Sequence, residues 1–102
     1  ALGSDNLPIG PLHGFYVAVT RKGESGTVYG MDEAVSRIAA LRAYTQDAAY
    51  LTWDESKKGS LTPGKLADMI VLDRNLLTIP DDEILQTKVD MTVIGGKVVY
   101  KR

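Results

Sequence analysis

The clearest pattern of apolar and polar positions lies in the last third of the chain. The dipeptide Pro63-Gly64 precedes the apolar run Met69–Leu72, which Asp73 closes. Proline sets φ and the following glycine supplies φ > 0, which favours a type II turn. Four consecutive apolar residues, two of them β-branched, are typical of a strand that is buried on both faces. We therefore predict such a strand over about 67–73, directly after a tight turn.

Two further strands are predicted after it, joined by a hairpin. Polar and apolar residues alternate through most of 89–94, which predicts a strand with one apolar face. Gly95-Gly96 suits a two-residue hairpin turn because both positions of such a turn can require φ > 0. The residues 97–101 then predict the returning strand.

Helical spacing is found mainly in the first half. The stretch 31–51 predicts one long helix with Asp32 as its N-cap. Steps of four and three residues place five residues on one stripe: Ala34, Ile38, Leu41, Thr45 and Ala48. A shorter helix is predicted over 12–20, although Gly14 weakens that pattern. Asp81 or Asp82 can cap a third, short helix, so the chain is rich in helix first and in strand afterwards.

Composition excludes several classes of function. A chain of 102 residues suffices for one domain, and 44% apolar with 25% charged residues is ordinary for a globular fold. The formal net charge of −1 gives no reason to expect nucleic acid or an anionic membrane surface as partner. No run approaches the roughly 20 apolar residues of a membrane span. The absence of cysteine excludes disulfides and thiolate chemistry; it leaves the compartment open but favours the cytoplasm.

Several short motifs spread over nearly the whole chain belong together. They are Gly3-Ser4-Asp5-x-x-Pro8, Ala18-Val19-Thr20-Arg21, Glu33-Ala34, Tyr44-Thr45-x-x-Ala48-Ala49, Lys58-Gly59-Ser60-Leu61-x-Pro63-Gly64-Lys65-Leu66-Ala67-Asp68-Met69-Ile70-Val71-Leu72-Asp73 and Val93-Ile94-Gly95-Gly96-Lys97-Val98-Val99-Tyr100. In this order they resemble the C-terminal portion of a metal-dependent amidohydrolase, in the branch of N-substituted formamide deformylase-like and D-aminoacylase-like enzymes. The segment before the predicted strand and the hairpin are specific in combination, whereas either alone is a weak signal.

The resemblance implies a particular fold. Full-length members of the family have a (β/α)₈ barrel, which carries the metal site, and a composite β-sandwich built from segments before and after the barrel. The chain would then be an α+β fragment. Residues 1–55 would hold the end of the eighth barrel strand and the last barrel helices. Residues 56–102 would hold the C-terminal β-sandwich segment, with strands at about 67–73, 89–94 and 97–101.

The resemblance also points to Asp5 as the catalytic and metal-binding residue of the intact enzyme. The aspartate at this place in the family touches the metal and takes a proton from the attacking water. Active-site residues of barrel enzymes lie at the C-terminal ends of strands, and Asp5 follows the predicted strand end. A carboxylate beside a divalent cation stays ionised, which suits that role. The alternative is that Asp5 only caps a loop, as Asp commonly does.

The intact enzyme would use a divalent metal, with zinc the expected ion, to hydrolyse amide or N-acyl bonds of a small-molecule amide substrate. A catalytic zinc takes about three protein ligands, and several of them are usually histidines. His13 is the sole histidine of this chain, and we expect it to lie near the pocket mouth rather than to bind metal. The chain alone is therefore expected to hold no metal and to hydrolyse nothing.

Arg21 is the second candidate site residue. Its guanidinium could bind a substrate carboxylate through two hydrogen bonds. It could equally form a structural ion pair near the end of a helix. The residue type and its position leave both alternatives open.

A non-catalytic structural or oligomerisation module is the rival hypothesis. Three strands without partner strands leave an unpaired edge, which seeks another chain, so a homo-oligomer is expected. The chain begins with Ala1 rather than methionine, which suits either a fragment or a processed product. The upstream coding sequence would decide: a His-x-His motif favours the hydrolase, and a start codon just before Ala1 favours the module.

Overall fold

The computed structural model describes residues 1–4 and 10–102. It contains four α-helices, a short 3₁₀ helix and one antiparallel sheet in these ranges. In chain order the elements are α1 (Pro11–Thr20), the 3₁₀ helix (Met31–Glu33), α2 (Arg37–Tyr44), α3 (Gln46–Leu51), β1 (Met69–Leu72), α4 (Asp81–Ile84), β2 (Val89–Ile94) and β3 (Lys97–Lys101). Across the described ranges, every helix is too short or too polar to cross a bilayer.

The sheet has the order β1-β2-β3, so β2 is central and the other two strands are edges. Met69 pairs with Val93, and Val71 pairs with Met91, in an antiparallel register. The β2–β3 turn is Gly95-Gly96, with φ of +57° and +80°, as its glycines predict. All three strands occur where the sequence pattern predicts them.

The entry to β1 is bonded to the hairpin turn that follows β2, the neighbouring strand. The Gly95 N–H donates to Asp68 Oδ1 at 2.7 Å, and the Gly96 N–H donates to the Ala67 carbonyl at 3.0 Å. A carboxylate often satisfies turn amides in this way, here across 27 positions of sequence. These two bonds connect the start of β1 with the turn that ends β2.

The prediction of one continuous helix over 31–51 is wrong. Asp32 lies in the 3₁₀ helix, and Ala34 is extended at φ −62° and ψ 139°. Ser36 is the true N-cap of α2, because its Oγ accepts a hydrogen bond from the Ala39 N–H at 3.2 Å. Thr45 then breaks the helix at φ −120° and ψ −85°. Its Oγ1 donates to the Leu41 carbonyl at 2.8 Å, an interaction that competes with regular helix bonding.

The predicted apolar stripe is also not the buried face. Ala40 and Ala49 are buried, whereas Ile38 is 54% exposed and Leu41 is 37% exposed. The break at Thr45 interrupts the 3.6-residue phase on which the stripe depended. Small alanines thus form the contact faces of α2 and α3.

The core lies among the helices and is completed from the second half of the chain. Phe15 of α1 and Ala40 of α2 cluster with Leu76 and Ile84, which follow β1. Arg37 holds the same segment: its Nη1 donates to the Leu76 carbonyl at 2.7 Å, and its Nη2 contacts an Asp81 carboxylate oxygen at 2.6 Å. The chain therefore returns from the sheet to the helices before it forms the hairpin. The division at residues 55 and 56 stays a prediction.

The sheet has much less cover than the helices. Ile70 is 54% exposed and Val71 is 46% exposed, and every residue of β3 is exposed. The prediction that β1 is buried on both faces is therefore wrong for this chain. Much of the apolar surface of the sheet therefore lies in water.

Candidate functional site

The candidate residue Asp5 lies outside the described residues, and the structure describes the four residues before it. The Leu2 N–H donates to the Ala43 carbonyl at 3.0 Å, and Ser4 is half-buried. The segment that leads to Asp5 therefore begins beside the last turn of α2. The catalytic and metal-binding roles of Asp5 stay predictions.

Metal ligands do not gather elsewhere in residues 1–4 and 10–102. No group of three His, Cys, Asp or Glu side chains in these ranges could hold an ion. His13 lies in α1 and is half-buried there. A divalent ion needs a larger set of ligands than this, so the described residues do not fit a complete metal site.

Arg21 is occupied by contacts within its own loop. It is the C-cap of α1, in the left-handed region at φ 58° and ψ 19°. Its Nε donates to the Tyr29 carbonyl at 2.9 Å, and its Nη2 pairs with Glu33 Oε2 at 3.2 Å. This is the ion-pair alternative that the sequence left open. Binding of a substrate carboxylate by Arg21 stays a prediction.

A buried hydroxyl lies at the contact between α1 and α2. Tyr44 Oη is shielded from solvent and has no hydrogen-bond partner among the described residues. It packs directly against Gly14, where an added Cβ would collide with it. The sequence showed Gly14 only as a weak point in a helical pattern. Nothing in one sequence could pair that glycine with a tyrosine thirty positions later.

A polar pocket of about 360 Å³ lies between α3 and the loop that leads to β1. Two of its lining residues, Lys58 and Lys65, carry positive charge. Lys65 Nζ donates to the Glu55 carbonyl at 2.5 Å, and Lys58 pairs with Asp54 at 3.1 Å. Both lysines therefore bond to residues of the same loop. We interpret this pocket as a place where the loop packs on α3 and not as a binding site.

The Asp54 carboxyl has a pKa below its ordinary value. The hydrogen bond from Lys58 is the main cause of this lowered pKa, and a second bond from Thr52 acts in the same direction. A carboxyl with a lowered pKa stays ionised and is a poor proton donor at neutral pH. The Asp54 carboxylate therefore stays ionised in its ion pair with Lys58.

A second concavity, which we call the β1 groove, is apolar. It has a volume of about 670 Å³ and is lined by the whole of Met69–Leu72 together with Leu41, Leu61 and Leu77. The groove runs along β1, one of the two edge strands of the sheet. Its lining is mainly apolar, and its polar members, Asp73, Arg74 and Asn75, directly follow β1.

Comparison with known proteins identifies relatives over nearly the whole chain. A family model described as "Amidohydrolase family" matches residues 1–100. The N-substituted formamide deformylase of Arthrobacter pascens is 34% identical over 105 residues, which cover all of this chain and 19% of that protein. The putative amidohydrolase YtcJ of Bacillus subtilis is 30% identical over 98 residues, covering 93% of this chain and 18% of the relative.

Two further matches come from a plant protein and a solved structure. Protein LONG AFTER FAR-RED 3 of Arabidopsis thaliana is 36% identical over 98% of this chain and 18% of its own length. The crystal structure of an amidohydrolase from Thermotoga maritima superposes with a TM-score of 0.59 and 25% identity, covering 71% of this chain and 17% of that one.

The chain thus spans less than a fifth of the length of each of these relatives. The family match extends from the segment that contains Asp5 through the β2–β3 hairpin. On this match, the 102-residue chain belongs to the amidohydrolase family.

Proposed function

We propose that this chain is the C-terminal part of a hydrolase that cleaves non-peptide carbon–nitrogen bonds in small amides or N-acyl compounds. The observation that carries the proposal is the family match over residues 1–100. One relative is named for an N-substituted formamide, which contains such a bond. The α+β arrangement and the likeness to a solved amidohydrolase support the same proposal.

Asp5 is the residue to which we assign proton transfer. Its carboxylate would accept a proton from the attacking water and pass it to the leaving nitrogen. Positioned general acid–base groups contribute about 10²–10⁴-fold to a rate. The assignment rests on the Gly3-Ser4-Asp5 motif within the matched residues and on the course of the segment before it, beside the end of α2.

We assign a divalent ion, zinc by expectation, to the longer protein and not to this chain. The described residues lack a cluster of three possible ligands, so they do not fit a complete site. A bound divalent ion would supply an activated water at neutral pH. The proton-transfer role proposed for Asp5 needs only its carboxylate. A carboxylate-bearing substrate would compete with Glu33 for Nη2 of Arg21.

The first test uses the chain by itself. Purified chain with added Zn²⁺ is incubated with an N-formyl or N-acetyl amine, and release of the free amine is measured. We expect no release above the background without protein, because the described residues do not complete a metal site. Turnover that scales with the concentration of the chain would contradict the proposal for the isolated chain.

The second part of the test uses the longer protein of which this chain would be the end. We expect Asp5→Asn to lower kcat by about 10²–10⁴-fold, the usual contribution of a general acid–base group. Asp32→Asn is the matched control, since Asp32 is an exposed carboxylate in the 3₁₀ helix. An Asp5→Asn protein with the kcat of the wild type would refute the role of Asp5.

A further inference from the structure

We draw no further inference here: the strongest candidate, the shielded Tyr44 hydroxyl that packs on Gly14 at the contact between α1 and α2, carries nothing, because no group in the described part of the chain bonds to it and the structure does not show what would.

Discussion

At the scale of single residues, two glycines with nearly the same positive φ have different reasons to be glycine. Gly59 and Gly64 have φ of +92° and +93°. An added Cβ at Gly59 would lie 2.6 Å from Ala49 Cβ and 3.1 Å from the Thr45 carbonyl oxygen, whereas nothing lies within 4 Å at Gly64. Gly64 is therefore required only by its turn. Gly59 also lets the loop pack closely against α3.

This difference predicts unequal costs for the same substitution. Gly64→Ala should lower the free energy of unfolding by about 1–2 kcal/mol, the cost of a left-handed non-glycine residue. Gly59→Ala should lower it by a further 1–3 kcal/mol or so, because the added methyl group overpacks the contact with Ala49. Urea unfolding of both variants measures the difference. Equal costs would show that the contact in the structure does not contribute.

At the scale of elements, the contact between α1 and α2 depends on Gly14, which has no side chain. Gly14 weakens the helical pattern of α1, yet the helix forms over Pro11–Thr20. The ring of Tyr44 occupies the space at Gly14, and its buried hydroxyl has no partner among the described residues. A glycine costs helix stability by itself, about 1 kcal/mol relative to alanine. Because Gly14 has no Cβ, Tyr44 of α2 can pack directly on α1, and this packing offsets the cost.

We predict a reversal of the usual effect of alanine in a helix. Gly14→Ala should destabilise the protein, because the new methyl group would collide with the Tyr44 hydroxyl. Tyr44→Phe should be neutral or stabilising by up to about 1 kcal/mol, because it removes a buried hydroxyl that has no described partner. The double variant should recover part of the stability lost in Gly14→Ala, because the ring carbon Cζ would still lie 3.2 Å from the added Cβ. A double-mutant cycle from thermal unfolding tests this, and purely additive effects would contradict it.

At the scale of the whole molecule, the helices and the sheet are connected by the segment after β1. Leu76 and Ile84 enter the helical core from this segment, and Arg37 of α2 bonds to its backbone and to Asp81. The helical part of the structure is therefore incomplete without residues from the second half of the chain. The sheet, by contrast, receives little cover from the helices in return.

This connection predicts that a change in α4 destabilises α1 and α2. Ile84→Ala should cost about 2–4 kcal/mol, since Ile84 is fully buried and the substitution leaves a cavity. The adjacent Leu85→Ala is the control and should cost much less, because Leu85 is 48% exposed. Native-state hydrogen exchange should show the loss at amides of α1 and α2. Unchanged exchange there would mean that α4 is not part of the helical unit.

Local patterns predicted much of the secondary structure. The apolar run, the alternation and the glycine pair placed the three strands and their hairpin, and spacing placed α1. The same reasoning failed for 31–51, because the local bonds of Ser36 and Thr45 divide a stretch that periodicity alone makes continuous. The same reasoning also found no signal for the contacts of Arg37 and Tyr44. Their partners, the Leu76 carbonyl and Gly14, are about 30 to 40 positions away in the sequence.

The sequence by itself determined the family, through motifs spread over nearly the whole chain. It also determined the positions of the strands, through an apolar run, an alternation of polar and apolar residues and a pair of glycines. Only the tertiary structure decided which apolar residues are covered. Burial depends on what lies opposite a side chain, and a pattern along the chain records the face of an element but not its neighbour. Ile70 and Ile84 show this. Ile70 lies in an apolar run and is half exposed on an edge strand, whereas Ile84 follows three acidic residues and is completely buried.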